Sequence, residues 1–232
     1  EIAVEQPVGN NIATSGTQAF GNVGLGLTNS LSFTIRNSAA VGAANLNLTG
    51  TTRVVISGTN ASDFEVTTQP SASVAAAGAT TFTVRFAPSV SVGARSAQLS
   101  IANDDSDENP FVINLSGTAV LPPEIAVEQP AGTNITSGGS KNFGTVATGS
   151  NESLTFTISN SGDLPLSLTN TPQVAITGTN AADFTVTSTQ PSASVVAKGS
   201  TTFTVRFAPS ISGVVGARSA QVSIANDDSD ET

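Results

Sequence analysis

The chain has 232 residues, a formal net charge of −9 and only 8 lysines and arginines. So acidic a chain is unsuited to phosphate backbones and anionic lipid, and no basic patch interleaved with aromatics occurs, which excludes nucleic-acid recognition. Cys, His, Met, Trp and Tyr are all absent. That excludes disulfides and the Ser-His-Asp and Cys-His nucleophile systems, and removes the usual zinc ligands.

Charged residues make up 11 % of the chain, against about 25 % in ordinary soluble proteins. Ser, Thr, Asn and Gly supply the polarity instead, which suits uncharged sheet surfaces and turns. Val, Ile, Leu and Phe recur with strand periodicity throughout, so this is no disorder signature. No apolar run approaches the roughly 20 residues of a membrane span, and no signal peptide opens the chain. It begins in mid-pattern at Glu1-Ile2-Ala3-Val4-Glu5, as a piece of a longer polypeptide would.

The chain repeats itself. Glu1-Ile2-Ala3-Val4-Glu5-Gln6-Pro7 returns 123 residues later as Glu124 to Pro130, Phe20-Gly21 as Phe143-Gly144, and Leu31-Ser32-Phe33-Thr34-Ile35 as Leu154 to Ile158. The offset is 120 at Asp63-Phe64 and Asp183-Phe184, 121 at the ten residues from Thr80, which return unchanged from Thr201, and again 123 at Gly93-Ala94-Arg95. The length changes fall in residues 39–47, near Ser188-Thr189 and in residues 212–215, all Gly/Ser/Ala/Pro-rich stretches where loops tolerate them.

In chain order, residues 2–6 predict a short strand, 18–23 a second with Phe20 inward, and 30–37 a long alternating strand through Leu31, Phe33 and Ile35. Shorter strands follow at 46–48 and 53–57. Residues 60–63 read as a single helical turn capped by Asn60, leading into a strand at 64–67. The period-two run Phe82-Thr83-Val84-Arg85-Phe86 predicts a half-buried strand over 80–86 that Pro88 stops. Strands at 95–102 and 111–116 complete the repeat. Seven to nine short strands with no amphipathic helix predict an all-β chain of two tandem immunoglobulin-like β-sandwich domains. These span 1–117 and 124–232, joined by a proline-stiffened linker at 118–123 that predicts a semi-rigid, end-to-end pair. Phe20, Phe33, Phe64, Phe82 and Phe86 are the expected core, with Phe143, Phe156, Phe184, Phe203 and Phe207 their counterparts.

The dense polar cluster is Asn103-Asp104-Asp105-Ser106-Asp107-Glu108-Asn109, repeated from Asn226 to Glu231. Crowded carboxylates repel unless solvent or a cation separates them, and calcium takes six to eight hard oxygen ligands. Two readings stand: a calcium site with Asp105 and Asp107 as ligands and Asp228 and Asp230 as counterparts, and a plain acidic turn, which Asn-Asp chemistry favours. No other cofactor is indicated. Glu5 and Glu128, each before Gln-Pro, read as solvated edge charges rather than a glycosidase carboxylate pair. A Ser–Lys pair or a Lys–Asn isopeptide would need Lys141 or Lys198, and the first repeat has no lysine.

Phe20-Gly21-Asn22-Val23 and Phe143-Gly144-Thr145-Val146 resemble the opening motif of bacterial choice-of-anchor D domains, relatives of the hydin and abnormal-spindle type of immunoglobulin-like domain. So do residues 154–160, 178–184, the repeated strand at 80–89 and residues 101–110. The resemblance covers nearly the whole chain. It implies tandem sandwiches in very large secreted or cell-surface proteins, hence an extracellular or cell-surface location, and no catalytic residues. The leading expectation is a non-catalytic structural module: spacer, stalk or filament body. The alternative is an adhesive module that takes a glycan or protein through end loops, although sugar sites favour the Trp and Tyr faces absent here. An accessory domain of an enzyme is a third reading.

The first repeat closes with Phe111-Val112-Ile113-Asn114-Leu115-Ser116, and the second stops at Glu231-Thr232, before the equivalent strand. The second sandwich is therefore expected to lack its last strand and to present an open edge. The partners this predicts are neighbouring repeats or other copies of the chain. Either following residues fill the slot, or another copy does so, with residues 1–7 as a candidate donor.

Overall fold

Phe82, Val84 and Phe86 all point inward from one strand while Thr83 and Arg85 stay partly exposed. The same arithmetic of alternation builds the rest of the molecule. The computed structural model describes residues 1–187, 189–210 and 215–231. The chain divides into two compact units, Glu1–Leu121 and Pro122–Thr232. Each is an all-β, immunoglobulin-like sandwich. Two of the length changes, at Ser188-Thr189 and in residues 212–215, fall wholly or partly outside the described residues.

Unit 1 contains β1 (Ile2–Glu5), β2 (Asn11–Ile12), β3 (Gly16–Gly24), β4 (Asn29–Asn37), β5 (Leu46–Asn47), β6 (Val54–Ser57), β7 (Phe64–Thr68), β8 (Ser73–Val74), β9 (Ala79–Phe86), β10 (Gly93–Ile101) and β11 (Phe111–Val120). One sheet has the order β2-β1-β4-β9-β7 and the facing sheet β3-β11-β10-β6, with β5 and β8 paired separately. β11 lies antiparallel to β10 and parallel to β3. The core between the sheets includes all five expected phenylalanines together with Leu99, Ile101, Phe111, Ile113 and Leu115. Phe33 stacks on Phe82 with ring centroids 4.9 Å apart.

Unit 2 repeats the first sheet closely. Its strands are β12 (Ile125–Glu128), β13 (Asn134–Ile135), β14 (Glu152–Asn160), β15 (Leu166–Ser167), β16 (Ala175–Thr177), β17 (Phe184–Val186), β18 (Ser194–Val195), β19 (Ser200–Phe207) and β20 (Gln221–Ser223). The order β13-β12-β14-β19-β17 matches that of unit 1. The register matches too: Phe156 faces Phe203 as Phe33 faces Phe82. The second sheet differs, since among the described residues only β16 and β20 pair there.

Two expectations need correction. Residues 118–120 are strand, not linker: alternate burial continues through β11 to Ala119, which is 1 % exposed. Gly117, the expected end of the first sandwich, lies inside the strand, where a Cβ would come within 2.5 Å of the Phe86 ring. Asn60 does not cap the short 3-10 turn Ala61–Asp63; its Oδ1 instead accepts the Ser96 N–H at 3.0 Å.

Candidate functional site

The acidic loop that follows β10 is organised by its first residue. Asn103 is buried, donates through Nδ2 to the carbonyls of Ile101 and Glu108, and accepts the Asp105 N–H at 2.8 Å. In unit 2, Asn226 makes the same bonds to Ile224, Glu231 and Asp228. One asparagine thus folds the loop around itself in both units.

The neighbouring aspartates then split into two jobs. Asp104 turns outward and accepts both the backbone N–H and the side-chain amide of Asn47, at 2.8 and 2.7 Å. Asp227 likewise accepts the Ser167 N–H at 2.7 Å. Asp105 turns inward and accepts the Ile2 N–H at 2.7 Å; Asp228, 1 % exposed, accepts the Ile125 N–H at the same distance. Each inward aspartate staples the loop to the first strand of its unit.

The aspartates proposed from sequence as metal ligands are brought together. Carboxylate oxygens of Glu1, Asp105 and Asp107 lie within 4.8 Å of one another, as do those of Glu124, Asp228, Asp230 and Glu231. Each side chain offers one hard oxygen. The electrostatics show the crowding. The Ile2 N–H holds the Asp105 carboxyl below the usual range. Burial opposes the same effect at Asp228, but the Ile125 N–H and neighbouring donors prevail. Asp230, facing Asp228, is pushed up. Burial and like charges also push up Glu231, Glu124 and, in unit 1, Glu108.

Glu5 is not a solvated edge charge. It is 6 % exposed, accepts from Arg36 Nε and from the Gly9 N–H, and the arginine bond draws its carboxyl down. Glu128 accepts from the Gly132 N–H and from Ser159, which stands where unit 1 has Arg36. Of the two lysines, Lys198 pairs with Asp163 at 2.9 Å and Lys141 donates to the Gln129 carbonyl. Residues 1–7, the candidate donor strand, are engaged at home: Ile2–Glu5 pairs with β4 over four positions, with Ile2 and Val4 buried.

The second feature is the open face of unit 2. A groove of about 1560 Å³ is lined by Phe143, Phe156, Phe184, Phe207, Ile176 and Ile224 among others. Phe143 and Phe184, expected in the core, are only partly buried, whereas Phe20 and Phe64 in unit 1 are 3 % and 5 % exposed. The aromatic framework is unchanged: Phe143 meets Phe184 edge-on at 5.6 Å, as Phe20 meets Phe64 at 5.5 Å. What differs is the cover that β11 supplies in unit 1.

Comparison with known protein families and with characterised proteins finds no match. Among solved structures, the chain is similar to the ASH/PapD-like domain 7 of human CEP192 at 12 % identity and a TM-score of 0.35, covering 52 % of this chain and 86 % of that one. It is similar to a family 123 glycoside hydrolase from Clostridium perfringens at 10 % identity and a TM-score of 0.33, over 46 % of this chain but 23 % of the hydrolase. It is also similar to the secreted serine protease VesC from Vibrio cholerae at 14 % identity and a TM-score of 0.34, over 89 % of this chain and 49 % of the protease.

Proposed function

We infer that the chain is a non-catalytic structural module: tandem sandwiches that serve as spacer, stalk or filament body in a large secreted or cell-surface bacterial protein of the choice-of-anchor D type. The observation that carries this reading is the repetition of framework rather than of a reactive constellation. The order and register of the first sheet, the aromatic contacts and the Asn–Asp staple all recur between the units. The recurring polar residues hold backbone, as the inward aspartates do for Ile2 and Ile125. Repeating a self-contained unit extends a chain without new chemistry.

The test is an array of glycans and extracellular-matrix proteins probed with the full chain, together with surface labelling of intact source cells. The expected result is surface exposure with no saturable ligand. Saturable binding lost on changing one set of end loops overturns the spacer reading in favour of an adhesive module. Absence from the cell surface and medium overturns the location.

A further inference from the structure

In unit 1 the space between β3 and β10 is occupied by β11, which sends Phe111, Ile113, Leu115 and Ala119 into the core and leaves them 0–2 % exposed. Unit 2 keeps both walls of that space. Residues 139–147 correspond to β3 and residues 216–224 to β10. Neither wall is fully formed: residues 139–147 contain no strand, and only Gln221–Ser223 of the other wall is strand. That remnant pairs with β16 in the register β10 uses with β6, Val222 opposite Ile176 as Leu99 is opposite Ile56. Among the described residues no strand pairs with the other edge of β20. At the mouth, Asn226 holds the Glu231 carbonyl as Asn103 holds that of Glu108, just before the turn into β11.

We propose that this groove is a strand-binding site. Its ligand is an extended segment of the Phe111–Val120 class, with apolar side chains at alternate positions, phenylalanine first and glycine seventh. The segment runs parallel to residues 139–147 and antiparallel to residues 216–224. Main-chain pairing on both walls supplies affinity, and the pockets beside Phe143, Phe184 and Ile224 read the side chains. A second copy of residues 1–232 is a poor donor. Its β11 is paired along both edges and its β1 is buried against β4, so filling one slot would empty another. The occupant is a further strand of this repeat class.

The probe is the synthetic peptide Asn-Pro-Phe-Val-Ile-Asn-Leu-Ser-Gly-Thr-Ala-Val, titrated into the intact 232-residue protein. A control peptide carries the same residues with the apolar positions moved by one place, which turns every apolar side chain to the wrong face. The expected result is one peptide bound per chain, with new amide protection in residues 139–147 and 216–224 and none in unit 1. The control should bind weaker by roughly tenfold or more, the worth of one buried large apolar side chain. Absence of saturable binding, equal binding of the control, or protection elsewhere overturns the proposal. Concentration-dependent association of the protein alone that protects these two segments overturns it in favour of a second copy. The proposal does not rest on the spacer reading, because the array and the peptide titration succeed or fail separately.

Discussion

Asp228 accepts the backbone N–H of Ile125 at 2.7 Å from a side chain that is 1 % exposed. Asp105 and Ile2 form the same bond in unit 1. The acidic loop thereby closes each sandwich by tying its first strand to a turn 103 residues further on. Asp228→Ala leaves the Ile125 N–H without its acceptor and should destabilise unit 2 by about 1–3 kcal/mol, whereas Asp228→Asn keeps an acceptor oxygen and should cost less. Urea denaturation of the two variants checks this. Equal losses would show that the charge matters and the hydrogen bond does not.

The calcium reading is tested at Asp107 and Asp230, whose side chains do not hold the first strand of either unit. If the clusters take the ion, millimolar calcium should raise the melting temperature of the wild type by mass action but not that of the D107N/D230N variant. Identical melting with calcium and with chelator assigns both loops to the staple alone.

The displaced carboxylates predict different pH responses in the two units. Glu5, Asp104 and Asp105 are held down in unit 1, chiefly by Arg36, by the Asn47 amide and by the Ile2 N–H. Their contribution is present above the unfolded carboxyl range of about 4 and is lost as pH falls through the folded values below it. Glu124, Asp230 and Glu231 are pushed up in unit 2. For these the protonated form is favoured on folding, so stability falls as pH rises from about 4 through their raised values. Asp228 is drawn down and offsets part of this trend. Acidification from pH 7 down through the raised values should therefore steady unit 2 through Glu124, Asp230 and Glu231, and unit 1 less, through Glu108, and further acidification below about 4 should cost unit 1 more. Hydrogen exchange, corrected for intrinsic rates and read unit by unit, gives both slopes. Parallel profiles would contradict the assignment.

Gly117 and Phe86 provide a packing test in unit 1. A Cβ at position 117 would lie 2.5 Å from Cε1 of a ring that is 0 % exposed. Gly117→Val should raise the intrinsic strand propensity yet destabilise unit 1 by about 1–3 kcal/mol through overpacking. A neutral or stabilising result in equilibrium unfolding would mean that the ring can move aside.

Much of this architecture was legible in the sequence, because period-two alternation through Phe33, Phe82 and Phe86 is a local signal. Long-range polar contacts were not. Nothing near Asp105 announces that its partner is the amide of Ile2, and Glu5 looks solvated until β4 brings Arg36 beside it. The two-residue strands Asn11–Ile12 and Ser73–Val74 carry too few positions to show a period. The end of β11 was hidden because glycine ordinarily weakens a strand, and its fitness at 117 depends on a ring from the opposite sheet.

Leu99 and Val222 occupy equivalent places, each across the ladder from an isoleucine. Leu99 is 0 % exposed and Val222 is 39 % exposed. The difference follows from cover: β11 pairs alongside Leu99 and places Ile113 opposite it, whereas Val222 borders the groove. Core truncation costs both the lost transfer energy and the cavity left behind. Leu99→Ala should therefore destabilise unit 1 by about 2–5 kcal/mol. Val222→Ala removes atoms already in contact with water and leaves no cavity, so its cost to unit 2 should stay within about 1 kcal/mol. The same variant read in the presence of the β11 peptide should lose more, since a bound strand would bury position 222. Denaturant titrations of both variants, with and without peptide, measure all these quantities. A Val222→Ala cost that matches Leu99→Ala in the absence of peptide would mean that the face of unit 2 is already covered, and the open-groove description would fall.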